Sequence, residues 1–170
     1  MSRKKVALSA PSYDIFYCTI GGWQRTYAFQ INRLPLEFKG EREGELQEQD
    51  CLQVFGTIRH HLTSRRTRRL TGQGVELSVY PFHDFSREDW NKYLDQKDIE
   101  SVRVGGVWTE KGKLFGLVSL AADAYYSLIP CLAANHFKEL ELNVRQMKGR
   151  RGNLDGIEFS PQETPKEDIE

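Results

Sequence analysis

Apolar and polar residues alternate along most of the chain, which is the pattern of β-strands that bury one face. The alternation is clearest in residues 51–62, 75–82 and 139–144. Further runs rich in β-branched and aromatic residues occupy 13–20, 23–31, 102–108 and 114–120. Within the first alternating segment, Leu52, Val54 and Ile58 fall on one face and are expected to be buried.

Turn residues between these runs predict antiparallel hairpins. Gly21 and Gly22 supply the positive φ that tight turns need, so they predict a turn between the β-rich runs on either side. Residues 110–113 and 147–153 fit two further hairpin turns. Residues 63–74 join two alternating segments, which predicts another hairpin with an arginine-rich connection.

Two segments carry helical patterns. Five apolar residues recur at helical spacing: Tyr125, Leu128, Ile129, Leu132 and Ala133. They predict an amphipathic helix over about 123–134, which Pro130 should kink or shorten because proline lacks an N–H. A capping-box outline at 86–89, followed by apolar residues at helical spacing, predicts a short helix over about 87–96.

Residues 114–134 are long enough to span a bilayer and contain a single charge, Asp123. A charge near the middle of a span costs roughly 2.5–3.5 kcal/mol, which the modest apolar content of this segment barely offsets. We therefore predict a buried strand followed by a helix, and no contact with a membrane.

These elements predict an α+β, mainly antiparallel β fold, built from hairpins as a sandwich or a strongly twisted sheet. Residues 13–160 form a single β-rich domain in this interpretation. Residues 1–12 are expected to be a flexible N-terminus, 39–50 an acidic loop and 161–170 a disordered acidic tail, because each has few apolar side chains to bury.

Composition narrows the class of protein. The 170 residues suit one domain, and 11% aromatic residues are enough to fill a core, which excludes wholesale disorder. The three cysteines are odd in number and lack C-x-x-C spacing, so neither a disulfide framework nor a zinc knuckle is expected. The apolar stretch after the basic start ends at Ser9, which is too short for a signal peptide, and we predict a cytoplasmic location.

The formal net charge is zero because 24 basic residues balance 24 acidic ones, which excludes a long-range cationic field. The charges are nevertheless segregated, with bases concentrated at 59–69 and 145–151 and acids at 39–50 and 161–170. The basic segments fall largely at predicted hairpin tips, where guanidinium groups could hold phosphate or carboxylate in two-pronged hydrogen bonds. The candidate binding residues are Arg59, Arg65, Arg66, Arg68, Arg69, Arg145, Lys148, Arg150 and Arg151.

The leading hypothesis is a non-catalytic interaction protein that presents these arginine-rich tips to an anionic macromolecule, either an acidic protein surface or nucleic acid. We predict no cofactor, no metal and no catalytic residue. Two rival interpretations remain open. Charged tips could serve only to keep sheet edges soluble, or the acidic segments of the chain could themselves cover the arginines.

Catalytic motifs are poorly represented, because the chain contains neither a G-x-S-x-G nor an H-E-x-x-H pattern. One alternative is a metal- or histidine-assisted hydrolase of phosphate esters, with His61, His83 and Asp84 as its working groups. Another is a self-associating subunit of a larger assembly, which would pack through an exposed sheet edge or through the predicted helix at 123–134.

Overall fold

The computed structural model describes residues 13–31, 46–63, 70–82, 104–165 and 167. Seven strands and one helix lie in these ranges. In chain order they are β1 (Tyr13–Ile31), β2 (Leu46–Thr63), β3 (Gly74–Phe82), β4 (Gly105–Glu110), β5 (Lys113–Ala121), α1 (Ala122–Ala133), β6 (Glu139–Lys148) and β7 (Arg151–Ser160). The short helix predicted over about 87–96 lies outside the described residues.

The seven strands form a closed barrel in the order β1-β2-β3-β5-β4-β7-β6, with β6 paired back onto β1. Every neighbouring pair is antiparallel except β3 and β5, which run parallel. Strand β4 comes between them in sequence but pairs with the other edge of β5. The prediction of a β-rich, mostly antiparallel fold is confirmed. Its architecture differs from the predicted sandwich or open twisted sheet, because closure of the sheet satisfies the strand edges that an open sheet would expose.

The barrel interior is filled by the apolar side chains that alternate along the strands. Leu52, Val54 and Ile58 of β2 are buried, as the pattern predicts. The same holds for alternate residues of the neighbouring strands: Phe16, Cys18, Val75, Leu77, Val79, Leu140, Leu142 and Val144. Burial raises the pKa of the Cys18 thiol to about 12, and the nearby Glu139 carboxylate acts in the same direction.

Gly21 and Gly22 do not form the predicted hairpin turn. Strand β1 continues through them, and its pairing with β2 shifts register between Ile20 and Gly22. This shift is a β-bulge, a feature that glycine commonly marks inside a strand. The alternating runs on either side of the glycines therefore belong to one long strand, which pairs with β2 over its full length.

The acidic segment predicted as a loop over 39–50 is partly a strand. Residues 46–50 belong to β2 and pair with 27–31 of β1, whereas 39–45 lie outside the described residues. Residues 46–50 form a strand and not a loop, and Asp50 gives a physical reason. Its buried carboxylate is neutralised by Arg25 on the paired strand.

The helix predicted over 123–134 is confirmed as α1, and it contains Pro130. Tyr125 and Leu132 on its apolar face are buried, and Leu128 and Ile129 pack against the core. Most of the stripe therefore packs within the chain, whereas Ala133 is exposed. Self-association through this helix stays an untested alternative. Among the described residues, no helix combines the length and the apolar character needed to cross a membrane.

A polar network joins α1 to the extension of the β1–β2 hairpin. The Arg25 guanidinium donates to both carboxylate oxygens of Asp50, at 2.9 and 2.6 Å, and the Tyr125 hydroxyl donates to Asp50 Oδ1 at 2.6 Å. The hydrogen bonds from Arg25 hold the pKa of Asp50 below its usual range. Burial and the Asp50 carboxylate raise the pKa of Tyr125. The network therefore favours ionised Asp50 and neutral Tyr125 in the folded state.

We predict that this network makes stability sensitive to acid. Because folding lowers the pKa of Asp50, its contribution to the free energy of unfolding is complete above the ordinary carboxyl value of 3.8 and disappears as the pH falls below it. Urea unfolding at pH 7 and pH 3 should show a smaller acid loss for Asp50→Asn than for wild type. Glu158→Gln, at an exposed carboxylate, is the control, and equal losses in all three proteins would contradict the prediction.

A second prediction concerns the close approach of β1 and β2. A methyl group added at Gly56 would overlap the backbone carbonyl oxygen of Thr19, whereas one added at Gly22 would meet open space. Gly56→Ala should therefore lower the free energy of unfolding by about 2 kcal/mol or more, and Gly22→Ala should change it little. Chemical denaturation of both variants measures the difference, and equal stability would refute the steric explanation.

Candidate anion-binding site

Three connections meet at the end of the barrel away from α1. They are the turn at Lys111 and Gly112, the turn at Gly149 and Arg150, and residues 70–73 before β3. The first two are tied together by a hydrogen bond from the backbone N–H of Thr109 to the carbonyl of Arg150, at 2.8 Å. We call this region the basic end. The hairpin turns predicted at 110–113 and 147–153 are both present, and they are neighbours in space.

A pocket of about 450 Å³ opens at the basic end. Its walls include the apolar side chains of Leu70 and Met147 together with Gln73 and Thr109. Gly112 and Gly149 adopt positive φ in the two turns that border it, a conformation that glycine accepts without strain. The pocket is large enough for a small organic ligand.

The buried pair Asp14 and His61 lines the same pocket. The two side chains are 3% and 5% exposed, and His61 Nε2 lies 3.1 Å from Asp14 Oδ1. His61 Nδ1 accepts a hydrogen bond from the Leu70 backbone N–H at 3.2 Å, so its proton belongs on Nε2 and is donated to Asp14. The imidazole also stacks on Phe16, with ring centroids 4.3 Å apart. These contacts fix the orientation of both polar groups.

The hydrolase alternative gains no support from this geometry. Both ring nitrogens of His61 already have partners, so neither is placed to act as a free base. His83 and Asp84 lie outside the described residues. Within the ranges that the structure covers, no three His, Cys, Asp or Glu side chains are placed to hold a metal ion together.

Arg150, Arg151 and Lys111 are three of the exposed cations in the described part of the basic end. None of them forms an ion pair or a side-chain hydrogen bond with the residues that the structure describes. Two of the three, Arg150 and Arg151, are among the predicted binding residues. Lys111 was overlooked, although the turn motif that contains it is visible in the sequence.

Arg145 differs from its neighbours because it has an internal partner. Its Nε lies 2.9 Å from Asp155 Oδ2 on β7, and both side chains are largely buried. The hypothesis that acidic residues of the chain neutralise the basic segments therefore holds for Arg145, through Asp155 on β7.

Arg59 lies within β2 and not at a hairpin tip. It is the extra residue of a bulge, since Cys18 pairs with Ile58 and Tyr17 pairs with His60. The guanidinium binds the carboxylate of Glu139 and donates to the Thr164 carbonyl at 2.6 Å. Arg59 is therefore engaged in contacts within the chain, and its assignment to a binding surface stays a prediction.

The C-terminal segment is also held by Glu139, which is 1% exposed. Its Oε1 accepts from the Thr164 backbone N–H at 3.0 Å and from the Thr164 hydroxyl at 2.6 Å. Glu163 adds an ion pair with Arg59 at 3.6 Å. Glu139 and Arg59 thus supply polar partners at residues 163 and 164, and the disorder expected over 161–170 stays a prediction.

The other predicted binding residues are less fully defined. Arg65, Arg66, Arg68 and Arg69 lie outside the described residues, and so does the side chain of Lys148. The residues that flank the four arginines are nevertheless at the basic end, since Thr63 pairs with Asp14 and Leu70 lines the pocket. The described residues on either side of this connection, Thr63 and Leu70, therefore lie near the basic end.

An aromatic pair on the outer wall was not assigned to the site from sequence. Trp108 and Phe115 stack with ring centroids 5.8 Å apart and ring planes inclined by 16°. Arg151 is the cross-strand partner of Trp108, so their side chains leave the same face of the sheet. Only the β4–β7 register brings these two residues together, and a single sequence does not contain that information.

No family model, curated protein or solved structure matches this chain. The function is therefore inferred from the geometry of the basic end.

Arg59 contacts a buried carboxylate, whereas Arg151 is exposed. Substitution of each residue tests this difference in environment. Arg59→Met would leave the buried Glu139 carboxylate without its cation, which should lower the free energy of unfolding by about 3 kcal/mol. Arg151→Met removes an exposed charge and should change stability by less than about 0.5 kcal/mol. Urea denaturation of both variants provides the comparison, and an unaltered stability of Arg59→Met would show that the Glu139 contact contributes nothing.

Proposed function

We propose that this protein is a non-catalytic binding protein that takes nucleic acid at its basic end. The observation that carries the proposal is the grouping of Lys111, Arg150 and Arg151, all exposed and without ion-pair partners among the described residues. Exposed guanidinium groups suit phosphate because their planar N–H groups match two phosphate oxygens at once.

The aromatic pair favours nucleic acid over an acidic protein surface. Trp108 and Phe115 provide ring faces beside Arg151, and bases of single-stranded nucleic acid stack on such rings while arginine binds the backbone. An acidic protein would use the cations but would have no comparable need for the rings. We therefore propose a single strand as the ligand, with phosphates at the arginines and a base near Trp108.

The neutral net charge of the chain limits the range of this attraction. At physiological salt the screening length is about 8 Å, so only charges close to the bound strand contribute to affinity. Arg65, Arg66, Arg68 and Arg69 add four positive charges to the connection between Thr63 and Leu70. The proposal places binding in the cytoplasm, where the free thiols Cys18, Cys51 and Cys131 would remain reduced.

The salt dependence of binding tests the proposal. Affinity for a fluorescent single-stranded oligonucleotide of mixed sequence should fall linearly with salt on logarithmic axes. The double variant Arg150→Ser/Arg151→Ser should bind more weakly, and its slope should be smaller by roughly 1.4, because each lost phosphate contact contributes about 0.7. Fluorescence anisotropy over about 50–300 mM salt, a roughly sixfold range, provides the measurement.

Lys138→Glu is the matched control, since it also lowers the net charge by two but lies before β6 at the opposite end of the barrel. It should leave the slope unchanged. Equal binding by wild type and the double arginine variant would refute the proposal. Binding of polyglutamate with a higher affinity than the oligonucleotide would instead identify an acidic protein as the partner.

A further inference from the structure

We propose that the pocket at the basic end holds a single nucleotide, with its base inside and its phosphate at the rim. This inference rests on the proposed function and deepens it, because it names a specific subsite and the part of the ligand that enters it. The base must carry an amino group, for the reasons given below, so adenine, cytosine and guanine qualify and uracil does not.

The size and the walls of the pocket suit a base. A volume of about 450 Å³ lies within the range of small-ligand sites, which is roughly 300–1,000 Å³. Leu70 and Met147 supply apolar surface for the faces of a planar ring. Gly112 and Gly149 have no side chains to narrow the space between the two turns that border the pocket.

Two polar groups that line the pocket have unused hydrogen-bond acceptor capacity. Gln73 Oε1 is buried and has no hydrogen-bond partner in the described part of the chain. Asp14 accepts from His61, but an ionised carboxylate can accept about four hydrogen bonds and therefore retains acceptor capacity. A ligand that brings N–H donors would satisfy both groups, and the amino group of a base provides two such hydrogens.

His61 has a defined part in this arrangement, as a positioning residue. Its Nδ1 is bound by the Leu70 N–H and its Nε2–H points to Asp14, so the carboxylate is held in one orientation. A buried acceptor that is already oriented loses little conformational freedom when a ligand binds. The imidazole thereby supports recognition without touching the ligand.

The rim carries the charges that a phosphate needs. Lys111 and Arg150 lie on the two turns that border the pocket, and the hydrogen bond from Thr109 to Arg150 keeps those turns adjacent. Glu110 also lines the pocket and opposes an anion. The two cations outnumber this one carboxylate at the rim, and Asp14 lies deeper, beside His61.

Isothermal titration calorimetry with nucleoside monophosphates tests the inference on the full chain. GMP, AMP and CMP should bind, whereas UMP and ribose 5-phosphate should bind at least about fivefold more weakly, because they lack the amino donor. Gln73→Met keeps the size of the side chain but removes the acceptor, and it should reduce that preference. Equal affinity for all five ligands would overturn the assignment of the base to the pocket.

A second variant fills the pocket. Thr109→Trp should weaken binding of the preferred monophosphate by about tenfold or more, because the indole would occupy the space of the base. Thr26→Trp is the matched control, since Thr26 is an exposed strand residue on the extension of the β1–β2 hairpin, and its affinity should remain at the wild-type value. Unchanged binding by Thr109→Trp would also overturn the proposal.

The two proposals fail in distinguishable ways. If wild type binds the oligonucleotide with the expected salt slope but binds no monophosphate, the pocket inference is wrong and the proposed function stands. If wild type binds GMP, AMP and CMP in preference to UMP but does not bind the oligonucleotide, the protein is a nucleotide-binding protein and the proposed polymer ligand is wrong. Thr109→Trp and the double arginine variant should accordingly affect the two ligands to different degrees.

Discussion

The pairing of β1 with β6 is the constraint on which the remaining structure depends. Seven residues of β1, from Tyr13 to Thr19, form the contact that closes the sheet into a barrel. Closure turns one face of every strand inward and lets a single apolar core contact all seven strands. It also places β1 between β2 and β6, so that polar residues on three strands come within reach of one another.

Two polar clusters depend directly on that closure. Inside the barrel, Asp14 of β1 meets His61 of β2 next to the pocket, and outside it Arg59 of β2 reaches past β1 to Glu139 of β6. Buried charged groups are expensive unless they are paired and hydrogen-bonded, and each of these groups has such a partner. The bulge at Arg59 accounts for both arrangements, because it directs Arg59 outward while His61 stays on the inner face.

Local pattern was sufficient to predict the elements whose formation depends on neighbours in sequence. The alternation in β2, β3 and β6 and the stripe in α1 each identified buried residues correctly, since periodicity follows from strand and helix geometry. The turn predicted at Gly21 and Gly22 was wrong because glycine is common in both turns and bulges. Only the pairing with the partner strand distinguishes the two. Barrel closure, the β3–β5 crossover and the contact of Arg59 with Glu139 link residues far apart in sequence, and a single sequence carries no record of those pairings. For the candidate site, charge clustering singled out Arg150 and Arg151 as candidates, whereas the partners of Arg59 and Arg145 and the proximity of Trp108 depended on register.

The position of α1 has a kinetic consequence. The helix packs against the core with Tyr125 and Leu132 buried, and the pocket opens at the opposite end, between turns that carry Lys111 and Arg150. A molecule in the pocket would then have to leave by the route it entered. A strand lying across that opening would delay its departure, so the order in which two ligands arrive would determine the residence time of the first.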